Sequence, residues 1–192
     1  MNKLKYLGHA SIKIETEGKI IYVDPFMGDY SDKADLILVT HSHYDHNNLD
    51  IVNKNDDCVV ITNKEALVNG EYKTFNYYGA SIQAVEAGYN KNHNENECVG
   101  YLITLSNKTK IYIAGDTSTT PYMKELGKMN IDFAFLPCDG VYNMDVSEAS
   151  EAANIINAKH SVPYHTKPGV PFDIEVANKF NGVNKCIIKA NE

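Results

Sequence analysis

Short apolar runs alternate with polar breaks marked by glycine, asparagine or charge, and most of the runs have the length of a strand. Residues 3–7, 11–16 and 19–23 are three strand candidates, with Glu17-Gly18 as the tight turn between the last two. Leu36-Ile37-Leu38-Val39 is a continuous apolar run, as a strand covered on both faces requires. Residues 58–61 repeat that pattern and lead into a predicted helix over 64–69; 73–75 and 80–86 continue the strand series. Residues 98–105 and 110–114 bracket Ser106-Asn107-Lys108-Thr109, a hairpin turn by composition. A helix is predicted over 121–128, with Pro121 in its first turn. A clearer one spans 145–157, with Ser147 as its cap and Ala149, Ala152, Ala153, Ile155 and Ile156 on its apolar side. Strands over 133–136, 161–163 and 186–189 and a helix over 172–180 complete the series, and 90–97 reads as an exposed polar loop. With no linker and no repeat, this order predicts one α/β domain over residues 1–192.

Directly after the run at 36–39 stands Thr40-His41-Ser42-His43-Tyr44-Asp45-His46. Residues two apart in extended backbone point to the same side, so His41 and His43 can aim both imidazoles at one point. Asp45 and His46 then bring an oxygen and a nitrogen within reach of a second point. Neutral imidazole and carboxylate suit zinc, iron or manganese. Four such residues within six positions, just past a buried strand, point to metal binding rather than to a solvated loop.

Composition narrows the partners. The formal net charge is −7, and every one of the 18 basic residues is lysine. Without arginine the chain lacks the planar fork that reads phosphate and guanine bidentately, which argues against a nucleic-acid partner. Cys58, Cys98, Cys138 and Cys186 are widely spaced and never form C-x-x-C, so they read as reduced, mostly buried thiols. No signal-like or membrane-spanning apolar stretch is present in the sequence. The expectation is a cytoplasmic, soluble protein with a small-molecule substrate and no membrane partner; a homo-oligomer is compatible with the sequence.

Three more residues extend the metal pattern. Asp116 ends the apolar run Ile113-Ala114-Gly115, His165 follows Val162-Pro163-Tyr164, and His93 lies in the polar loop. Singly, each also reads as a cap, turn or surface residue. Together with the six-residue motif they resemble the metallo-β-lactamase superfamily, whose ligand order is H-x-H-x-D-H followed by His, Asp and His. Leu7-Gly8-His9-Ala10, Val23-Asp24-Pro25-Phe26, Val99-Gly100-Tyr101 and Ala114-Gly115-Asp116-Thr117 extend the resemblance over nearly the whole chain. They are most similar to the small single-domain branch that includes ascorbate-6-phosphate lactonase.

The resemblance implies a four-layer αββα sandwich, with helices outside two mixed sheets and metals at one edge between them. It implies that His41, His43 and His93 hold one divalent ion and that Asp45, His46 and His165 hold a second. Asp116 would bridge both, with zinc favoured over manganese or iron. His93 lacks the Gly-His-Thr setting common in the superfamily, which leaves His9 as its substitute; His160 reads as a packing or surface residue. Asn47-Asn48 replaces the glycine pair that often follows the motif.

Asp45, Asp116 and His9 are the catalytic candidates, His9 through substrate contact or through a neighbouring ligand. Asp24 is a candidate for fixing a ligand histidine, with a plain Asp-Pro turn as its competing account. Tyr142 is a candidate for lining the pocket, with core packing as the alternative. The implied activity is hydrolysis of a small ester-type substrate, a lactone first, by metal-bound hydroxide. No G-x-S-x-G nucleophile setting occurs in the sequence. A phosphodiesterase, or a metal-binding module without turnover, are the competing functions.

Overall fold

The computed structural model describes residues 2–191. The first sheet begins as an antiparallel meander of β1 (Lys3–Gly8), β2 (Ser11–Thr16) and β3 (Lys19–Val23). Glu17 and Gly18 both take positive φ, which turns β2 into β3 in two residues. Parallel pairing then adds β4 (Ala34–Leu38) and β5 (Lys54–Ile61), so the order is β1-β2-β3-β4-β5. A single-turn helix, α1 (Asn63–Ala66), precedes a small hairpin of β6 (Leu67–Val68) and β7 (Glu71–Tyr72).

The second sheet contains β8 (Thr74–Tyr77), β9 (Ala80–Glu86), β10 (Val99–Thr104) and β11 (Lys110–Ile113), all antiparallel neighbours. After α2 (Met123–Leu126), strand β12 (Phe133–Pro137) joins in parallel. After α3 (Val146–Ile156), β13 (His160–Tyr164) does the same and closes the order β13-β12-β11-β10-β9-β8; α4 (Ile174–Lys179) follows.

The two sheets face each other. Ile12, Ile14, Ile21, Leu36 and Leu38 from the first share one buried cluster with Ile82, Tyr101, Ile103, Ile113, Phe135 and Val162 from the second. Alternation along β4 explains its unbroken apolar run: Leu36 and Leu38 face that core, while Ile37 and the following Val39 face the other side. On the outer face of the second sheet, Leu102, Tyr112, Ala134 and Leu136 pack against Met123 and Leu126 of α2 and Ala149, Ala152, Ala153 and Ile156 of α3. The outer face of the first sheet is covered more thinly. Tyr30, Val52 and Leu49 lie over Tyr22, Ile37 and Val39, and the helical piece there is the 3-10 turn Leu49–Ile51. The sandwich is therefore the expected αββα arrangement with one outer layer reduced to a loop and a turn.

Several predicted elements differ in extent. The helix expected over 64–69 stops at Ala66, because Asn69-Gly70 forms a positive-φ turn that pairs Leu67–Val68 with Glu71–Tyr72. The helix expected over 121–128 shrinks to Met123–Leu126. The cap of α3 is Asp145, whose side chain accepts from the Glu148 amide; Ser147 is already inside the helix. Ile155 is exposed and does not belong to the apolar side of α3. The segment 186–189 does not form a strand. It is tied to β13 at one point, where the Cys186 amide donates to the Ser161 carbonyl and the Ser161 amide donates to the Asn184 carbonyl. Among the described cysteines Cys98 and Cys138 are buried, Cys58 and Cys186 are partly exposed, and none is disulfide-bonded.

Candidate metal centre

The parallel strands deliver the site. Chain order and pairing place the C-terminal ends of β3, β4, β11, β12 and β13 at one edge, where open α/β sheets present their ligand-binding residues. Asp24 follows β3, the segment 40–46 follows β4, Asp116 follows β11, Asp139 follows β12 and His165 follows β13. His9 sits in the β1–β2 turn, and His93 in the loop between β9 and β10. Three of these residues hold left-handed backbone: His9 at φ 54°, Asp24 at φ 47° and His165 at φ 44°. Such conformations are uncommon outside glycine and concentrate where the surroundings demand a particular side-chain direction. Gly115, at φ 68°, lets β11 pass close to Thr40; a Cβ there would lie 2.9 Å from the Thr40 Cβ.

Two clusters of donor atoms result, joined by a third group of His41, His46 and Asp116. One ligand atom from each of His41, His43 and His93 lies within 4.8 Å of the others, and the same holds for His9, Asp45, His46 and His165. Asp116 stands between the clusters. Its Oδ2 is 3.3 Å from His93 Nε2, while its Oδ1 is 3.2 Å from His46 Nε2 and 3.6 Å from His165 Nε2. The loop carrying His93 is exposed as expected, but His93 itself is turned inward and buried, held by reciprocal backbone hydrogen bonds with Asn90.

The far nitrogens of these rings fix which nitrogen is free. Thr40 Oγ1 donates its one hydrogen to Asp24 Oδ2 at 2.8 Å, so its 3.1 Å contact with His41 Nδ1 makes that ring nitrogen the donor. His46 Nδ1 donates to Asp24 Oδ2 at 2.9 Å, and His93 Nδ1 faces the Asn90 Oδ1 acceptor at 3.3 Å. His165 Nδ1 lies 3.2 Å from Asp139 Oδ2, an ion-pair distance whose angle falls short of a regular hydrogen bond. In the neutral rings of His41, His46 and His93, Nε2 is thereby left as a lone pair. Nε2 of His41 and His46, both ring nitrogens of His165 and Oδ1 of Asp116 are buried without a hydrogen-bond partner among the described residues. Buried acceptors facing one another are costly unless a positive charge lies between them. The donor set therefore fits divalent cations.

The ionisation behaviour divides the ring nitrogens into two kinds. Burial disfavours the charged form of His46, yet Asp116 and Asp24 outweigh it and hold the ring well above the usual histidine range. Burial likewise opposes ionisation of Asp116, but His165 and His46 keep it well below the usual carboxylate range. His165 is raised against burial by Asp116 and Asp139. His41 and His93 are lowered, chiefly by burial. Asp45 is lowered despite burial, through its hydrogen bond with His9 and the charge of His46.

His9 is buried behind Asp45, with Nε2 3.1 Å from Asp45 Oδ2, Nδ1 3.4 Å from the Val170 carbonyl, and its ring 3.9 Å centroid to centroid from His165. It does not line the cleft that opens over the centre. That cleft, about 550 Å³, has His43, Asp45, His93 and Asp116 on its floor and Tyr44, Tyr142 and the Pro168-Gly169 turn around it. Tyr142 is half exposed there and is not a core residue. His160 stacks on Phe133 at an exposed position, away from the centre.

Asp139 was not singled out by the sequence, although Leu136-Pro137-Cys138-Asp139 repeats the apolar-run-then-aspartate pattern of Asp24 and Asp116. Besides approaching His165, it accepts from the Val141 and Tyr142 amides, both at 2.7 Å, and from Asn143 Nδ2 at 2.7 Å.

Residues 3–165 match the profile of the Beta-lactamase superfamily domain. The chain belongs to the metallo-β-lactamase superfamily. Within it the chain stands among the metal-dependent hydrolases: it is 34% identical over 195 residues to a UPF0173 metal-dependent hydrolase of Anoxybacillus flavithermus, covering 85% of each chain. A crystal structure from Parabacteroides distasonis, described as that of a metal-dependent hydrolase, superposes with a TM-score of 0.82 at 29% identity, covering 100% of this chain and 94% of the other. Igni18, a metallo hydrolase from Ignicoccus hospitalis, shares the fold with a TM-score of 0.74 at 22% identity, covering 100% of this chain and 96% of the other. Among the described residues no helix is long and apolar enough to cross a membrane.

Proposed function

We propose that this superfamily member hydrolyses a small ester-type substrate, a lactone before a phosphodiester, at a centre for two divalent ions. The observation that carries this reading is the split of Asp116, whose two oxygens face different histidine clusters. In this reading His41, His43 and His93 hold one ion, Asp45, His46 and His165 the other, and Asp116 spans them, with zinc favoured over manganese or iron. Such ions, when bound, supply Lewis acidity toward a carbonyl oxygen and toward water.

The chain's own residues do the rest. Asp24 and Thr40 keep His41 and His46 in the tautomer that leaves Nε2 free, and Asn90 does the same for His93. Asp45 is the carboxylate on the cleft floor that a substrate can reach besides Asp116, so it is placed to accept a proton and to pass it to a leaving oxygen. His9 acts as a positioning residue: its Nε2–H donates to Asp45 Oδ2 and fixes the carboxylate's orientation. Cys138, which directly precedes Asp139, is buried and its thiol is pushed up to about 12, so it offers no thiolate nucleophile.

A panel of γ- and δ-lactones and bis-p-nitrophenyl phosphate, assayed with zinc-, manganese- and iron-loaded protein, tests the reading. Turnover of a lactone that stops with a chelator and returns with metal is the expected result. Turnover of the phosphodiester alone would overturn the ester assignment.

A further inference from the structure

The mouth of the cleft is aromatic and carries no cation. Tyr44 is 77% exposed and Tyr142 50% exposed, and both line it. Both stand on anchored segments. Tyr44 lies inside the ligand motif and is braced edge-on by Phe26, with ring centroids 5.7 Å apart at 87°. The Tyr142 amide donates to Asp139 Oδ1 at 2.7 Å, and its carbonyl accepts from Asn92 Nδ2 at 3.2 Å, across the two loops that wall the cleft. Because Asp139 also faces His165, the position of Tyr142 is tied to the metal centre itself. Tyrosines give large contact area at low entropic cost, and two of them exposed at one opening call for an apolar occupant.

An anionic substrate finds no partner here. Among the described residues no lysine lines the cleft, and the sequence has no arginine. Lys91 and Lys167 lie in the flanking loops outside the lining, and Lys167 Nζ faces Asp173 at 3.7 Å. The Val141 and Tyr142 amides, which could otherwise cradle a phosphate, are both taken by Asp139 Oδ1. Asp45 and Asp116 on the floor, with Asp24 and Asp139 behind, already match the charge of two divalent ions. Among the described lining residues no positive charge is left over to hold a phosphate on the non-reacting part of the substrate.

We infer that the substrate is an uncharged carbonyl compound with an aryl or comparably apolar arm, gripped between Tyr44 and Tyr142 while its reactive group lies over Asp45 and Asp116. This rests on the two-ion hydrolase reading above and makes that reading more specific: a phosphorylated sugar lactone is excluded from the substrate class.

Three hydroxamates that differ only in their arm test it by calorimetry on zinc-loaded protein: acetohydroxamate, 3-phenylpropanohydroxamate and phosphonoacetohydroxamate. The phenyl compound should bind about tenfold more tightly than the methyl one, from burial of the ring. The phosphonate should show no advantage over the methyl compound. In Tyr44→Ala and Tyr142→Ala the phenyl-to-methyl affinity ratio should fall toward one, whereas Tyr142→Phe should keep it. A tighter phosphonate, or a phenyl advantage that survives both alanine variants, would overturn the inference with the two-ion centre left standing. Failure of all three compounds to bind would instead overturn the two-ion reading, and this inference with it.

Discussion

Asp24 Oδ2 lies 2.9 Å from Nδ1 of His46, and both side chains are fully buried. The same oxygen accepts the Thr40 hydroxyl, which in turn accepts from His41, so one carboxylate sets the tautomer of two histidines that belong to different clusters. Asp24 Oδ1 also accepts the Thr40 amide at 2.8 Å, which anchors the start of the ligand loop.

Asp24→Asn follows directly from that arrangement. Asparagine tolerates the left-handed backbone at this position, so the fold should survive. Its amide, however, must place an N–H against either the Thr40 amide or His46 Nδ1, donor against donor. Metal affinity should fall by roughly 10- to 100-fold. Competition with a chromophoric chelator measures it; unchanged affinity would show that Asp24 only ends a strand.

Asp139→Asn should act on the other side of the centre. Asparagine can still accept the loop amides through Oδ1, but it removes the negative charge 3.2 Å from His165 Nδ1. A loss of one ion's affinity by roughly tenfold, with thermal stability little changed, is expected. Titration of the first and second equivalents of zinc separates this outcome from a uniform loss.

Gly115→Ala places a methyl group 2.9 Å from the Thr40 Cβ at a backbone angle of 68°. Strain of this kind costs about 1–3 kcal/mol. A lowered melting temperature together with weaker metal binding is expected, because Thr40 carries the His41 hydrogen bond. A lowered melting temperature with intact metal affinity would separate the glycine from the site.

The thiols should divide into two classes. Burial pushes Cys98 and Cys138 up to about 12, so neither forms thiolate at pH 8, whereas Cys58 and Cys186 are partly exposed. Ellman's reagent should therefore modify two thiols in the native protein and the others only after unfolding. Cys138→Ser should leave turnover within a few-fold, as expected of a packing residue whose Sγ lies 3.7 Å from the Tyr164 carbonyl.

The strands were legible because alternation and apolar runs register burial directly: 11–16 and 19–23 coincide with β2 and β3, and Glu17-Gly18 with their turn. The helices over 64–69 and 121–128 are shorter than their composition predicts, since it yields to an Asn-Gly turn in one case and to a single packed turn in the other. The segment 186–189 has strand composition but only one point of pairing. At the centre, spacing could suggest that His41, His43, Asp45 and His46 act together, but it could not show which residues from distant strands meet them. Asp139 illustrates the limit. Its local pattern equals that of Asp116, and only the parallel pairing of β12 with β13 brings it to His165.

The two oxygens of Asp116 face different histidine clusters, so metal stoichiometry tests its bridging role most directly. Elemental analysis of anaerobically purified protein, with the fold checked by circular dichroism, should find close to two divalent ions per chain. In Asp116→Ala the occupancy should fall clearly below that of the wild type under the same conditions. Full metal content in Asp116→Ala, with the fold intact, would contradict the bridging role and the two-ion centre built on it.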